Sequence, residues 1–291
     1  MSEFGQQLLN GLAAGSIYAL LAVGYSLVYG LLELINFAHG HVYMVGTFVV
    51  LSSMLAGFPF AFALVIGMGF GALLGVLIER VAYRPFRGAN RIIPTVSAVA
   101  VTLILENVAA QVWGPATRRF DTPLPTSAIE ILGLRISWIQ VIVLAVTAVI
   151  AVMLYLMVQY TSWGRNVRAI RDDMQSAELV GVPVNRIVTS VYALGGALGV
   201  LAGVLFAAYY DSVYVSMGFY GTLYAFTAAV IGGIGDLRGA FIGGVLLGIV
   251  QALTAGYISS GYMDAVTFGL LIVFLVFRPL GLSNSGQVSR V

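Results

Sequence analysis

From Leu34 to Ile78 the chain runs without a single Asp, Glu, Lys or Arg, and the same holds for 4–32, 137–164, 187–210, 212–235 and 239–263. About 20 consecutive apolar residues carry an α-helix across the hydrocarbon core of a bilayer. No water reaches backbone N–H and C=O groups there, so helices and closed barrels are the only spanning forms. The runs are far too long for barrel strands, which take roughly 9–11 residues each. The sequence is therefore that of an all-α polytopic membrane protein. Composition agrees: charged residues make up 9% of the 291, against roughly a quarter in a soluble domain.

Nine apolar segments fit, at 6–29, 39–57, 60–80, 92–112, 137–160, 187–210, 219–235, 239–258 and 260–277. They predict about eight transmembrane helices, with glycine-rich 219–235 either a further span or a re-entrant half-helix. Short Arg-rich loops stay cytoplasmic. Loop 80–91 holds four Arg, 161–186 holds four more, and Arg278 and Arg290 mark the C-terminus, so all three regions are expected inside. Loop 113–136, with Pro115, Pro123 and Pro125, then falls outside. Nine crossings put the N-terminus outside, and eight put it inside. The start, MSEFGQQLLNG, has no basic stretch and reads as a retained first span rather than a cleaved signal. One transmembrane domain over 1–291 is expected, with a cytoplasmic loop at 161–186 and an extracytoplasmic loop at 113–136.

Residue types missing from the chain exclude several chemistries. There is no Cys, so disulfides and thiolate chemistry are out. All 14 basic residues are Arg, and without Lys there is neither a P-loop nor a Schiff-base cofactor. Any ATP must sit on another chain. His39 and His41 have Glu33 as their nearest carboxylate in the sequence, so no metal site is expected.

Ionisable and polar side chains at membrane depth mark a pathway or a buried pair. Glu106, beside Asn107 and one turn before Gln111, either meets a solute's ammonium group or bonds a neighbouring helix. The stretch NFAHGHVY interrupts the apolar run with Asn36, His39 and Gly40. It is either an interfacial turn or a helix break that bares backbone carbonyls for a solute. Glu79 and Arg80 read as an interface anchor, and Asp236 with Arg238 as a turn with a local charge pair. Glycines at four-residue spacing (67/71/75, 195/199/203, 239/243, 244/248) read as helix-packing faces.

Six of the chain's charges crowd into GRNVRAIRDDMQSAELVGVP, residues 164–183. Arg168 and Asp172 stand at i,i+4, Arg171 and Gln175 share a face, and Gly181 with Pro183 ends the helix. Arg165 and Arg168 near the helix start oppose the dipole, so the stretch is either a plain solvated helix or a docking helix seated in a partner. Here the chain resembles the LivH-type permeases of branched-chain amino acid ABC importers. The resemblance rests on GSIYALLAVGYSLVYGLLELINFAHGHVYMVG, IERVAYRPFRG, GRNVRAIRDDMQSAELVGV and FTAAVIGGIGDLRGAFIGGVLLGI, spread from residue 15 to residue 249. The cytoplasmic stretch is similar to the loop pattern Glu-Ala-Ala-x-x-x-Gly by which such permeases dock on ATPases. Aligned on Gly181, it has Gln175, Ser176 and Ala177, with Gln175 in the acidic place.

The resemblance implies an alternating-access permease of the bacterial cytoplasmic membrane, not an enzyme, for branched-chain or other hydrophobic amino acids. It implies partners: a second LivM-like permease subunit, two cytosolic ATPase subunits, an extracytoplasmic solute-binding protein and membrane lipid, with no nucleic acid. ATP and Mg would belong to the ATPases, leaving no cofactor on this chain. The coupling residues would be Arg165, Arg168, Arg171, Asp172, Gln175, Ala177 and Gly181; the candidate pathway holds Asn36, His39, Gly40, Glu106 and Asn107. Rival readings are an importer for urea or short amides, an ion-coupled transporter using Glu106, and an intramembrane protease, for which Asp211 and Asp264 fall at segment ends.

Overall fold

Helices bare of side chains along one face can touch backbone to backbone, and the glycine series do so throughout this protein. A computed structural model describes residues 2–87, 90, 92–125, 127–131 and 133–283. Arg91 and Arg290, both counted in the charge pattern, lie outside them. The order begins α1 (Ser2–Leu32), α2 (His39–Leu55) and α3 (Phe60–Ile78), which a π turn (Glu79–Tyr83) and a 3-10 turn (Arg84–Phe86) prolong. Next come α4 (Ile92–Trp113), β1 (Arg118–Arg119), a hairpin of β2 (Ala128–Ile131) and β3 (Leu134–Ser137), and α5 (Trp138–Tyr160). Then follow α6 (Ser162–Asp172), α7 (Met174–Leu179), α8 (Val184–Tyr210), β4 (Ser212–Val213), α9 (Met217–Gly232), α10 (Leu237–Tyr257), a 3-10 turn (Ser260–Tyr262) and α11 (Met263–Phe277).

Gly244 and Gly248 of α10 lie on α1: a Cβ at Gly248 would stand 2.2 Å from the Gly15 Cα. Gly71 of α3 meets Gly196 of α8, where an added Cβ would fall 2.1 Å from the Gly71 carbonyl. Gly203 sets α8 against Tyr43 and Thr47 of α2, and Gly239 and Gly243 set α10 against Gly232 and Ala228 of α9. All four glycine series are therefore packing faces. They close an inner group of α1, α2, α8, α9 and α10. The apolar stretch of α1 is 94% buried, whereas that of α11 is 6% buried. The apolar stretches of α4 and α5 are likewise only 17% and 22% buried, so these outer helices are left for lipid or another subunit.

Among the described residues seven helices are long and apolar enough to cross a membrane. The two other segments read from the sequence, α2 and α9, are 17 and 16 residues long. At 1.5 Å per residue each falls short of a hydrocarbon core about 30 Å thick. Both are completed by non-helical chain, 33–38 before α2 and 213–216 before α9.

Contacts between loops sort the ends into two faces. On one, Gln6 exchanges hydrogen bonds with the Arg135 backbone (2.9 and 2.8 Å), and β1 pairs antiparallel with β4. On the other, Gly30 touches Gly235, Ser283 N–H donates to the Gly232 carbonyl, and the Tyr83 hydroxyl donates to the Ile35 carbonyl. Helix α9 starts inside the bundle beside Gly40 of α2 and ends at Gly232 on the second face; with β4 before it on the first face, the segment 212–232 runs from one face to the other. It therefore traverses the bundle rather than turning back, which agrees with nine crossings. The four short strands were not anticipated; they lie in polar loops too short to show a two-residue period.

Candidate functional site

Thr161 closes α5 and opens α6 at one corner, its hydroxyl accepting from Gly164 N–H at 3.1 Å. Helix α6 buries Gly164, Val167 and Ile170; the Val167 and Ile170 side chains join a cluster with Leu27 and Leu31 of α1, Tyr83 of the π turn, and Val188 and Val191 of α8. The charged stretch is two helices rather than one. Asp173 leaves helical geometry (φ −157°, ψ 112°) and its side chain caps α7 through Ser176 N–H. Ala177 is buried beneath α7. The chain then turns back through Gly181 at φ +86°, a conformation that glycine adopts without steric cost, with Val182 N–H donating to the Ala177 carbonyl.

The expected coupling residues separate by environment. Arg165, Arg171, Asp172, Gln175 and Gly181 are exposed, while Ala177 is packed inward. Arg168 bends back and donates to the Val158 and Gln159 carbonyls at the end of α5. A cation there complements the helix C-terminus, which accounts for an Arg that opposed its own helix dipole. The sequence reading missed Leu179 and Val180, which stand 88% and 79% exposed at the loop tip. A signal existed: residues two apart do not share a helix face, so burying Ala177 turns Leu179 outward.

The break before α2 is real, but its polar groups are largely spent. Glu33 sits at φ +53°, and Asn36 Oδ1 accepts from Ala38 N–H at 3.2 Å and from the Tyr83 hydroxyl at 3.3 Å. The Phe37 carbonyl accepts from the Thr222 hydroxyl at 3.1 Å. Gly40 is a close-approach glycine: a Cβ there would fall 2.2 Å from the Gly218 carbonyl oxygen on α9. His39 lies buried edge-on to Tyr25, ring centroids 6.0 Å apart, against Gly24 and Gly199. His41 points elsewhere, its Nε2 3.7 Å from Glu106 Oε2. Glu106 thus brings a carboxylate of peripheral α4 near inner α2 without a hydrogen bond to His41, while exposed Asn107 donates to the Leu103 carbonyl of its own helix at 2.8 Å. The structure brings Asn36, His39 and Gly40 together and leaves Glu106 and Asn107 on an outer flank.

Two further expectations are corrected. Glu79 is fully buried, not an interface anchor; it pairs with Arg87 and accepts from the Thr189 hydroxyl at 3.0 Å. The π turn supplies the reason, since Glu79 and Tyr83 both face inward along it. Asp236 caps α10 through Arg238 N–H, but the Arg238 guanidinium lies over the Tyr155 ring at 4.4 Å instead of pairing locally. The rival protease aspartates are also placed: Asp211 ends α8 in a left-handed conformation, and Asp264 accepts from the Tyr224 hydroxyl at 2.7 Å.

Inside the bundle, Tyr18, Tyr43, Tyr214, Tyr220 and Tyr224 line a cavity of about 10 Å³. That is at most room for one water, so a solute has no path through it as it stands.

Residues 7–276 match the family described as branched-chain amino acid transport system / permease component. The high-affinity branched-chain amino acid transport system permease protein BraD of Pseudomonas aeruginosa is 38% identical, over 98% of this chain and 97% of that protein. The corresponding LivH of Escherichia coli is 37% identical, over 99% and 98%. More distantly, the fructose import permease protein FrcC of Rhizobium meliloti is 29% identical, over 80% of this chain and 68% of that protein. The chain belongs to the branched-chain amino acid transport system permease family, whose members are multi-pass membrane subunits of ABC importers.

Proposed function

We propose that this chain is the LivH-type half of a permease pair that admits branched-chain or other hydrophobic amino acids across the bacterial cytoplasmic membrane. Its partners are a second, LivM-like permease, two cytosolic ATPases that hold ATP and Mg, and an extracytoplasmic solute-binding protein. The observation that carries this reading is the exposed Leu179–Val180 tip on a firmly seated base. A long exposed apolar side chain on a turn among charges costs solubility and suits a groove in a partner. Beneath the tip, Ala177, Val167 and Ile170 belong to the cluster that contains Val188, Val191 and Tyr83. Tyr83 in turn holds the segment before α2 through Ile35 and Asn36. A push on the tip thus has a continuous packed route to α8 and to the α1–α2 break, as coupling requires. The exposed Arg165 and Arg171 flank the same corner and supply charge for recognition.

The test is reconstitution of the complex with Leu179→Asp and Val180→Asp together. Losing a contact hot spot of about 2 kcal/mol corresponds to roughly 30-fold weaker docking. ATPase co-purification and ATP-driven leucine uptake fall together, with unchanged permease yield in the membrane. Gly181→Arg puts a bulky side chain on the docking turn, where an added Cβ meets nothing within 4 Å, but it also strains a backbone held at φ +86°, so its loss counts for docking only at unchanged permease yield. Undiminished ATPase retention and uptake in both variants would sink the docking role.

One observation favours an ion-coupled reading, the Glu106–His41 pair at membrane depth. It requires uptake that collapses with an uncoupler and survives removal of the ATPases; uptake lost with the ATPases and unchanged in Glu106→Gln dismisses it.

A further inference from the structure

Lipid tails offer nothing to a polar side chain, so what a membrane helix turns outward records its neighbour. Among the described residues, the exposed side chains in the middle turns of α3, α5 and α11 are apolar, such as Leu73, Val152 and Ile272. Thr147 of α5 and Thr267 of α11, at similar depth, are buried. Helix α4 differs. At 1.5 Å per residue Glu106 lies about 21 Å from Ile92 and about 10 Å from Trp113, inside the hydrocarbon core, yet its side chain is 38% exposed. Asn107 is exposed beside it, and exposed Gln111 carries the polar stripe one turn further. The next edge of the same helix, Ile104, Val108 and Val112, is exposed and apolar. The bundle does not use the stripe to hold α4. It holds the helix at its end, where Trp113 stacks on Phe48 with ring centroids 5.0 Å apart and donates to Ser52 Oγ at 2.8 Å.

We infer that the Glu106–Asn107–Gln111 stripe of α4 is a subunit interface, covered by a helix of a second, non-identical membrane chain that presents an N–H donor side chain at the depth of Glu106. Side-chain amides hydrogen-bond across helices in membranes, which gives Asn107 and Gln111 a use that lipid cannot. Charge selects the partner. Helix α4 carries no Arg, and the two-fold symmetry of a homodimer would bring Glu106 to the depth of its own copy. Carboxylate would then face carboxylate, with no cation on either helix between them. A different chain, with a donor where this one has an acceptor, meets the stripe without that conflict. The apolar edge at Ile104, Val108 and Val112 is left for lipid. The inference rests on the permease pair proposed above and adds which helix faces the other subunit and what chemistry that subunit places there.

The test places the photo-crosslinker p-benzoylphenylalanine at Leu103, one turn from Asn107 on the stripe and 54% exposed. The control position is Leu73 on α3, 66% exposed. Illuminating the assembled complex, isolated through a tagged ATPase, should link this chain to the second permease from Leu103, with at least tenfold less adduct from Leu73. An adduct of two copies of this chain, lipid adducts alone, or equal yields from the two positions would each overturn the inference. Separately, Glu106→Leu should lower the second permease retained per copy of this chain about tenfold after a detergent wash, since a hydrogen bond to a charged group is lost. Glu106→Gln, which keeps an acceptor, should retain it, and both variants should reach the membrane in unchanged amount. Full retention in Glu106→Leu would remove the donor from the partner. A second permease that co-purifies but never links to Leu103 sinks this inference alone. If no second permease accompanies the unsubstituted chain, the permease-pair reading fails, and this inference with it.

Discussion

The two polar ends of this bundle are fastened by different physics. At the Arg-rich end a buried carboxylate, Glu79, meets Arg87 and Thr189, and Arg87 also donates to Asn185 at 2.7 Å. Around them the cluster of Tyr83, Tyr192, Ile170 and Ala177 is continuous with α1 and α8. At the opposite end amide hydrogen bonds hold the hairpin to α1 through Gln6 and the start of α5 to α1 through Asn10. There β1 joins β4 through two residue pairs, and one buried ring, Phe120, anchors the loop. The first end is stiff and shares its core with the spanning helices, as a lever must. The second is a clamp on the rim, joined to the main apolar core through one ring, Phe120.

The largest effect should come from breaking the stiff end. Glu79→Leu leaves Arg87 half-buried without its carboxylate, and removing one partner of a buried pair costs about 3–5 kcal/mol. Thermal unfolding of the purified permease in detergent should show a clear loss of stability. Replacing both, Glu79→Leu with Arg87→Leu, should recover most of it, because an apolar pair of similar volume costs little. A double variant no better than the single one would mean that Thr189 and Asn185, not the ion pair, hold this end.

At the rim, Phe120→Ala removes a fully buried ring, a change worth about 3–5 kcal/mol in a continuous core. Phe120 reaches from its loop into the main apolar core, so the loss should fall mostly on the loop. Proteolysis before β2 should quicken and the apparent KM for liganded binding protein should rise, while basal ATP hydrolysis holds steady and the midpoint of global unfolding falls less than in Glu79→Leu. Global destabilisation comparable to Glu79→Leu would erase the distinction between the two ends.

How much of this was legible beforehand follows from the range of each interaction. The spans and the glycine faces are local patterns, repeating every turn or two, and they were readable residue by residue. Glu79 was misread because its partner stands eight positions on, across a π turn that no periodicity announces. Arg238 likewise looked toward Asp236 in sequence but reaches Tyr155 on another helix. Gly40 looked like a break exposing carbonyls; only the approach of α9 shows that it is glycine because Gly218 and Thr222 leave no room. The coupling corner was located from its charges, yet the apolar tip at Leu179 and Val180 emerges only once Ala177 is known to face inward.

Arg168 tests the comparison most finely, because it lies at the stiff end but is fastened like the rim. Its guanidinium donates to carbonyl oxygens at the end of α5, at a partly exposed position. A cation at a helix C-terminus contributes about 0.3–1 kcal/mol, so Arg168→Gln should barely move global unfolding. Amide exchange in the last turn of α5 should quicken, and leucine uptake should fall no more than about twofold, since less than about 0.5 kcal/mol of any loss reaches the docked state. Arg165→Gln, exposed at the same helix start, should leave exchange in α5 unchanged and act only through ATPase affinity. A collapse of uptake in Arg168→Gln with α5 exchange unaltered would reassign Arg168 from a cap on α5 to a contact made with the ATPase itself.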